Sequence, residues 1–204
     1  MRKTLAAGAV LVVLALTYWM WPLLGAEQIA GVATNGEPIQ IMQYIDLPAL
    51  RHSIGSQIVH AYLEQNPKYQ QLGSLGRTLV GSVGASVADA MMQEAMTPDN
   101  LAALLKQGLM TDGKTSTVRP NETLWTMPPL ARAFESGLFR AFLHSHFDGP
   151  ISFVLVLDNE ADVYGVHLHL VGARWLISGL DLPKQVCDRL AREIAAKQET
   201  MGAT

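Results

Sequence analysis

The stretch ISFVLVLDNEADVYGVHLHLVGARWLISGLD, residues 151–181, decides the fold. It holds three runs, Ile151 to Asp158, Tyr164 to Val171 and Arg174 to Asp181, each rich in the β-branched and aromatic residues that suit a pleated surface. Only Asn159 to Asp162 and Gly172-Ala173 separate them. Links this short leave no room for a crossover, so neighbouring runs pair antiparallel. One step upstream, Leu138 to Phe147 shows strand-type alternation, and Asp148-Gly149-Pro150 breaks it from the next run. The expectation is a four-stranded antiparallel meander within residues 132–183.

Around that sheet the period is helical. Asp46 stands ahead of Leu47-Pro48 as an N-cap does, and Leu47, Leu50, Ile54, Ile58, Ala61 and Tyr62 recur at helical spacing. Thr97-Pro98-Asp99 is a helix start, Leu101, Leu104 and Leu105 form the apolar side, and Gly108 ends it. Between these helices, residues 72–95 place Gly73, Gly76, Gly81 and Gly84 in an apolar pattern, which reads as a glycine-kinked core helix or as a weak, interface-seeking segment. Thr111 to Pro129, rich in Thr, Asn, Gly and Pro, reads as a loop. Pro183 opens a last helix with Val186, Leu190 and Ile194 on one side. Helices followed by an antiparallel sheet give an α+β fold: amphipathic helices over 27–131, the sheet packed on them over 132–183, and a C-terminal helix over 184–204.

The chain begins differently. Arg2 and Lys3 precede an uncharged run from Thr4 to Ala26, represented by Leu5 and Val12, and the run ends in the aromatic group Tyr18, Trp19 and Trp21 with Pro22. At about 1.5 Å per residue such a run crosses a hydrocarbon core of roughly 30 Å. The expected element is an N-terminal transmembrane helix over residues 1–26. The basic start places it N-in, single-pass in the cytoplasmic membrane, with one extracytoplasmic domain, 27–204, in the periplasm or outside the cell. The aromatic trailing end and the poor residue Leu24 ahead of a cut after Ala26 favour a retained anchor over a cleaved signal; a cut after Ala33 is the alternative.

Composition narrows the partners. Arg2 and Lys3 are two of the 15 Lys and Arg, so the remainder sets 13 cations against 18 Asp and Glu. No basic run appears in it, which argues against nucleic acid. The single cysteine, Cys187, allows no internal disulfide, so burial must hold the domain together. Oligomeric state is not legible.

The arrangement resembles a bacterial family that carries only a serial label, domain-of-unknown-function family 2939. The likeness rests on the basic-apolar start ending in Tyr18-Trp19 and Pro22, on Ile45-Asp46-Leu47-Pro48-Ala49-Leu50-Arg51, on Thr97-Pro98 with its Leu-rich helix, and on Val171-Gly172-Ala173-Arg174-Trp175-Leu176 running to Leu182-Pro183. Leu176 departs from the cation such relatives tend to place after the tryptophan. The resemblance implies a membrane-anchored envelope protein with an α+β body, and brings no activity and no catalytic residue.

Chemistry-bearing residues are few. His144 with His146, and His167 with His169, form i, i+2 pairs that on a strand put two imidazoles on one face, the arrangement a metal site needs. The first and third strands of a meander lie roughly 9 to 10 Å apart, too far for one ion, which leaves a single pair with Asp158 or Glu160, or an ordinary polar strand face. A metal-dependent hydrolase built on His167 and His169 is the enzymatic alternative. Cys187 beside Val186 reads as a small buried hydrophobe rather than a nucleophile, and no Gly-x-Ser-x-Gly elbow or phosphate loop occurs. Asn121-Glu122-Thr123 has only the form of a glycosylation acceptor. Trp175 with Phe139, Phe142, Phe147 and Phe153 is set to line an apolar pocket for a lipid or similar ligand, or to fill a core. The expected function is a non-catalytic envelope module, without cofactor, that binds a partner protein, a lipid or another apolar ligand.

Overall fold

The computed structural model describes residues 2–65, 92–93, 95–111, 123–135, 137–159 and 162–192; the side chains of 2–12, 15, 16, 111, 123, 124, 139 and 159 lie outside the description. Most of the glycine-punctuated segment, Glu160, Asn121-Glu122 and Ile194 therefore fall outside it.

The elements, in order, are α1 (Arg2–Asn35), a short α2 (Pro38–Ile41) with a 3-10 turn (Met42–Tyr44), α3 (Leu47–Gln65), α4 (Pro98–Gln107), β1 (Leu109–Thr111), β2 (Thr123–Thr126), a 3-10 turn (Leu130–Phe134), α5 (Leu138–Leu143), β3 (His146–Gly149), β4 (Ser152–Asn159), β5 (Asp162–Val171) and β6 (Arg174–Asp181). A last helix, α6, follows from residue 184 and is described to 192. The chain is α+β, and its main sheet has the antiparallel order β3-β4-β5-β6 that the short links require.

Local chemistry sets the helix ends. Asp46 Oδ1 accepts the Ala49 amide at 3.2 Å, and Thr97 Oγ1 accepts the Asn100 amide at 3.3 Å. Gly108 closes α4 in the left-handed region, φ 73°, where a Cβ would stand 1.8 Å from the Met127 carbonyl oxygen. Only glycine fits there. The helical stripe read for α3 is buried as Leu50, Ile54, Ile58 and Ala61, and Val186 and Leu190 of α6 are buried too.

The edge strand β6 is covered by α3. The Asp46 amide donates to the Ile177 carbonyl at 2.8 Å; the Gln57 amide group donates to the Leu180 carbonyl at 2.7 Å and accepts from the Leu182 amide at 2.9 Å. The Asp46 backbone amide and the Gln57 side chain thus satisfy backbone groups that an edge otherwise offers to another chain.

Two expectations need correction. Leu138 to Phe147 is not a strand: Gly137, φ 92°, starts helix α5, and only His146–Gly149 joins the sheet. Short apolar runs satisfy either period, and Leu138, Ala141 and Phe142 also fit helical spacing. Phe139, Phe142 and His144 are consequently off the sheet. Second, the region read as a loop from Thr111 to Pro129 holds β2 and the last residue of β1, which pair antiparallel, and Tyr164 of β5 ties this small sheet down by donating to the Thr126 carbonyl at 2.6 Å. Among the described residues no helix is long and apolar enough to cross a membrane, so the structure lends the expected transmembrane helix no support.

What α1 does show is its second half. The helix passes Ala26 without a break, and Leu23, Ala26, Ile29, Ala30 and Ala33 form a stripe of near-zero exposure in the main core. Gly25 lets the helix ride close to the sheet: a Cβ there would lie 2.8 Å from Trp175 Cδ1. The sheet's inner face, with Phe153, Leu155, Val166, Leu168, Trp175 and Ile177, is thereby covered.

Candidate functional site

β5 alternates. Tyr164, Val166 and Leu168 face the core, which sends Gly165, His167 and His169 to the other side of the sheet. The register sets His146 opposite Val154 and Val154 opposite His167, while Ser152 lies opposite His169. Three of the four expected histidines therefore share one face. Val154, however, stands between His146 and His167, so two strand spacings of roughly 4.8 Å keep those rings apart. His144, beyond the end of α5, belongs to neither a strand nor this face.

The rings have other partners. His167 Nε2 lies 2.7 Å from Asp181 Oδ2, and His169 Nδ1 lies 3.3 Å from Ser152 Oγ. Gly165 makes the first pair possible, since a Cβ at that position would meet the Asp181 carboxylate at 2.6 Å. Among the described residues, no three His, Cys, Asp or Glu side chains are placed to hold a metal ion. No hydroxyl or thiol among the described residues hydrogen-bonds to the His167 ring. Cys187 is buried, its thiol is directed at the Leu182 carbonyl, and burial pushes its pKa up, which keeps it protonated and unreactive.

The aromatic residues assemble around α1. Phe153 and Trp175 are almost wholly buried, and Phe147 meets Phe153 edge-on at 5.1 Å between ring centroids. Tyr18 stacks on Phe147 at 5.4 Å with an interplanar angle of 13°, and Trp19 meets Phe142 at 5.6 Å. The space proposed for an apolar ligand is the seat of α1, with Gly25 on Trp175.

A different recess opens where β3 ends. Because residues 138–143 coil into α5, β4 beyond Val154 has no strand neighbour on that side among the described residues, and α5 and the 130–134 turn stand beside it. The resulting cleft, of about 210 Å³, is lined by Arg132, Arg140, His144 and Asp158, with Ala133, Ala141, Val156 and Leu157 as apolar floor. The side chains of Arg132, Arg140 and His144 make no hydrogen bond or ion pair with another described residue. Two guanidiniums and an imidazole beside one carboxylate suit an acidic group, since guanidinium matches carboxylate or phosphate in a bidentate way. Arg132 and Arg140 had no visible motif; they were legible only as two cations flanking an apolar run.

A family model described as "Protein of unknown function (DUF2939)" matches residues 11–104. The chain resembles that family across α1, α2, α3 and the first part of α4, and the main sheet with its cleft lies beyond the matched stretch. No curated protein and no solved structure matches the chain.

Proposed function

We propose that this chain is a non-catalytic cell-envelope module, held in the cytoplasmic membrane by the first half of α1, whose body on the outer side binds an acidic group of a partner protein in the Arg132–Arg140–His144 cleft. One observation carries the reading: α1 is a single helix, from Arg2 to Asn35, uncharged from Thr4 to Ala26 yet part of the core from Leu23 onward. A cleaved signal would be dispensable to the fold, whereas this helix is not. Burial of Leu23 and Ile29 contributes roughly 1.5–3 kcal/mol each and the three alanines somewhat under 1 kcal/mol each, a sum comparable with the ~5–15 kcal/mol that stabilises a whole domain. The comparison supports retention: a cut after Ala26 would take Leu23 and Ala26 from the core, and a cut after Ala33 all five residues; the basic start supports the N-in orientation.

The binding half of the reading is supported by cleft cations that pair with no other described side chain, and its non-catalytic character by the lack of an assembled nucleophile-base pair among the described residues. It is tested by native mass spectrometry of the full chain extracted from membranes in mild detergent. A bound polypeptide that disappears in the Arg132→Ala, Arg140→Ala double variant supports it. A bare chain in the wild type, or one that hydrolyses model esters with a dependence on His167, contradicts it.

A further inference from the structure

We infer that the end of the body from which α1 emerges is itself a lipid-contacting surface, with Trp19, Trp21, Leu143 and Ile151 lodged at the boundary between hydrocarbon and headgroups. This rests on the tether reading above and adds to it a position and a face.

Length fixes the position. Lys3 is the last charge before Glu27, and a hydrocarbon core of roughly 30 Å takes about 20 helical residues. A helix entering after Lys3 therefore leaves hydrocarbon near Leu23, and any tilt moves that exit further along the chain. The body, however, already touches the helix at Tyr18. The Tyr18 hydroxyl donates to the Pro150 carbonyl in the β3–β4 turn, and its ring stacks on Phe147. Trp19 meets Phe142 and Phe147. No spacer separates membrane from body, so whatever is held at the level of Tyr18 and Trp19 lies about 6–8 Å on the hydrocarbon side of that exit, within the depth that interfacial side chains reach.

What is held there is apolar and exposed. Ile151, next to Pro150, is 45% exposed, Leu143, next to Phe142, is 63% exposed, and Trp19 and Trp21 are 52% and 39% exposed. Val171, in the neighbouring β5–β6 turn at the same end of the sheet, is exposed as well; the Leu170 amide bonds the Ile151 carbonyl and so fixes the two turns side by side. The side chain of Arg174, which follows that turn, makes no hydrogen bond or ion pair with another described residue, and its guanidinium suits headgroup phosphate; Asp148 is an exposed anion in the β3–β4 region. The apolar surface of α1 continues directly into the patch, with Val13 and Leu14 exposed just ahead of it. Tryptophans and aliphatic loop tips around the exit of an apolar helix form an interfacial belt, and the occupant of that belt is a bilayer.

The test uses the full chain in a Cys187→Ala background, reconstituted into phosphatidylethanolamine and phosphatidylglycerol vesicles. Single cysteines at Ile151→Cys, Leu143→Cys and Val163→Cys each carry an environment-sensitive fluorophore. All three side chains are exposed, so the substitutions spare the core. Val163 lies at the opposite end of the sheet, roughly 20 Å from Ile151 along strands that rise about 3.3 Å per residue. Nitroxide-bearing phospholipids are expected to quench positions 143 and 151 several-fold more than 163, with blue-shifted emission at both. Chain that floats with the vesicles while 143 and 151 are quenched no more than 163 overturns this inference and leaves the tether standing. Chain that fails to float overturns the tether reading and this one with it.

Discussion

Replacing Gly25 with alanine isolates the docking of α1 on the sheet, because Gly31 on the same helix supplies the reference. A Cβ at Gly25 would lie 2.8 Å from Trp175 Cδ1 and 3.0 Å from Trp175 Cβ, whereas one at Gly31 meets nothing within 4 Å. Carbon atoms rest about 3.5–4.0 Å apart, so helix or indole must move by roughly 0.7–1 Å. Neither is free to do so: Trp175 is 3% exposed, and Leu23 and Ala26 bury α1 on either side of Gly25. Both substitutions gain about 1 kcal/mol of helix propensity, and only Gly25→Ala incurs an overpacking cost of about 1–3 kcal/mol. Gly31→Ala is expected to stabilise the full chain by about 1 kcal/mol and Gly25→Ala to be neutral or destabilising by up to about 2 kcal/mol. Urea unfolding in a mild detergent, followed by tryptophan fluorescence, reads both. Equal stabilisation by the two variants refutes the packing of α1 on Trp175.

Other consequences follow from single contacts. Gly108→Ala combines a left-handed backbone with a Cβ 1.8 Å from the Met127 carbonyl oxygen, so it should cost about 2 kcal/mol or more and lower the thermal midpoint by several degrees. Gln57→Ala leaves the Leu182 amide without its acceptor and weakens the pairing of the Leu180 carbonyl, a loss of about 1–3 kcal/mol measurable by urea unfolding. Tyr164→Phe removes the hydroxyl that bonds the Thr126 carbonyl and should cost about 1 kcal/mol at pH 8. Burial, with Asp162 adding to it, raises the Tyr164 pKa, so the folded state favours the neutral phenol. That stabilisation is complete below the unfolded value near 10 and lost as pH climbs through the folded one, so the gap between wild type and Tyr164→Phe should narrow above about pH 10. A gap that widens there contradicts the assignment.

Three strands, the helix caps at Asp46 and Thr97 and the stop at Gly108 were legible because each depends on local chemistry: alternation between short turns, a side-chain acceptor, a left-handed backbone. The failures share a different cause. Leu138 to Phe147 carries both periods, and what selects helix is tertiary, namely the contact of Phe142 with Trp19. β1 and β2 form a pair across residues 112–122, and their stability comes from burying Met110 and Trp125, which no local pattern announces. Nor does charge, which changes at Glu27, announce that the core stripe of α1 starts at Leu23. The geometry around the histidines was not legible from local spacing. The i, i+2 spacing placed His167 and His169 together, yet Gly165 lets Asp181 reach His167, and the cleft exists only because the misread segment is a helix that cuts β3 short.

The central claim, that α1 is at once anchor and core element, is tested most directly by the intact mass of the full-length gene product purified from washed membranes. Retention predicts a single species that still contains the residues ahead of Glu27. A folded, membrane-released species that begins at Glu27 and is stable without Leu23 and Ala26, or begins at Thr34 and is stable without Leu23 to Ala33, would contradict it.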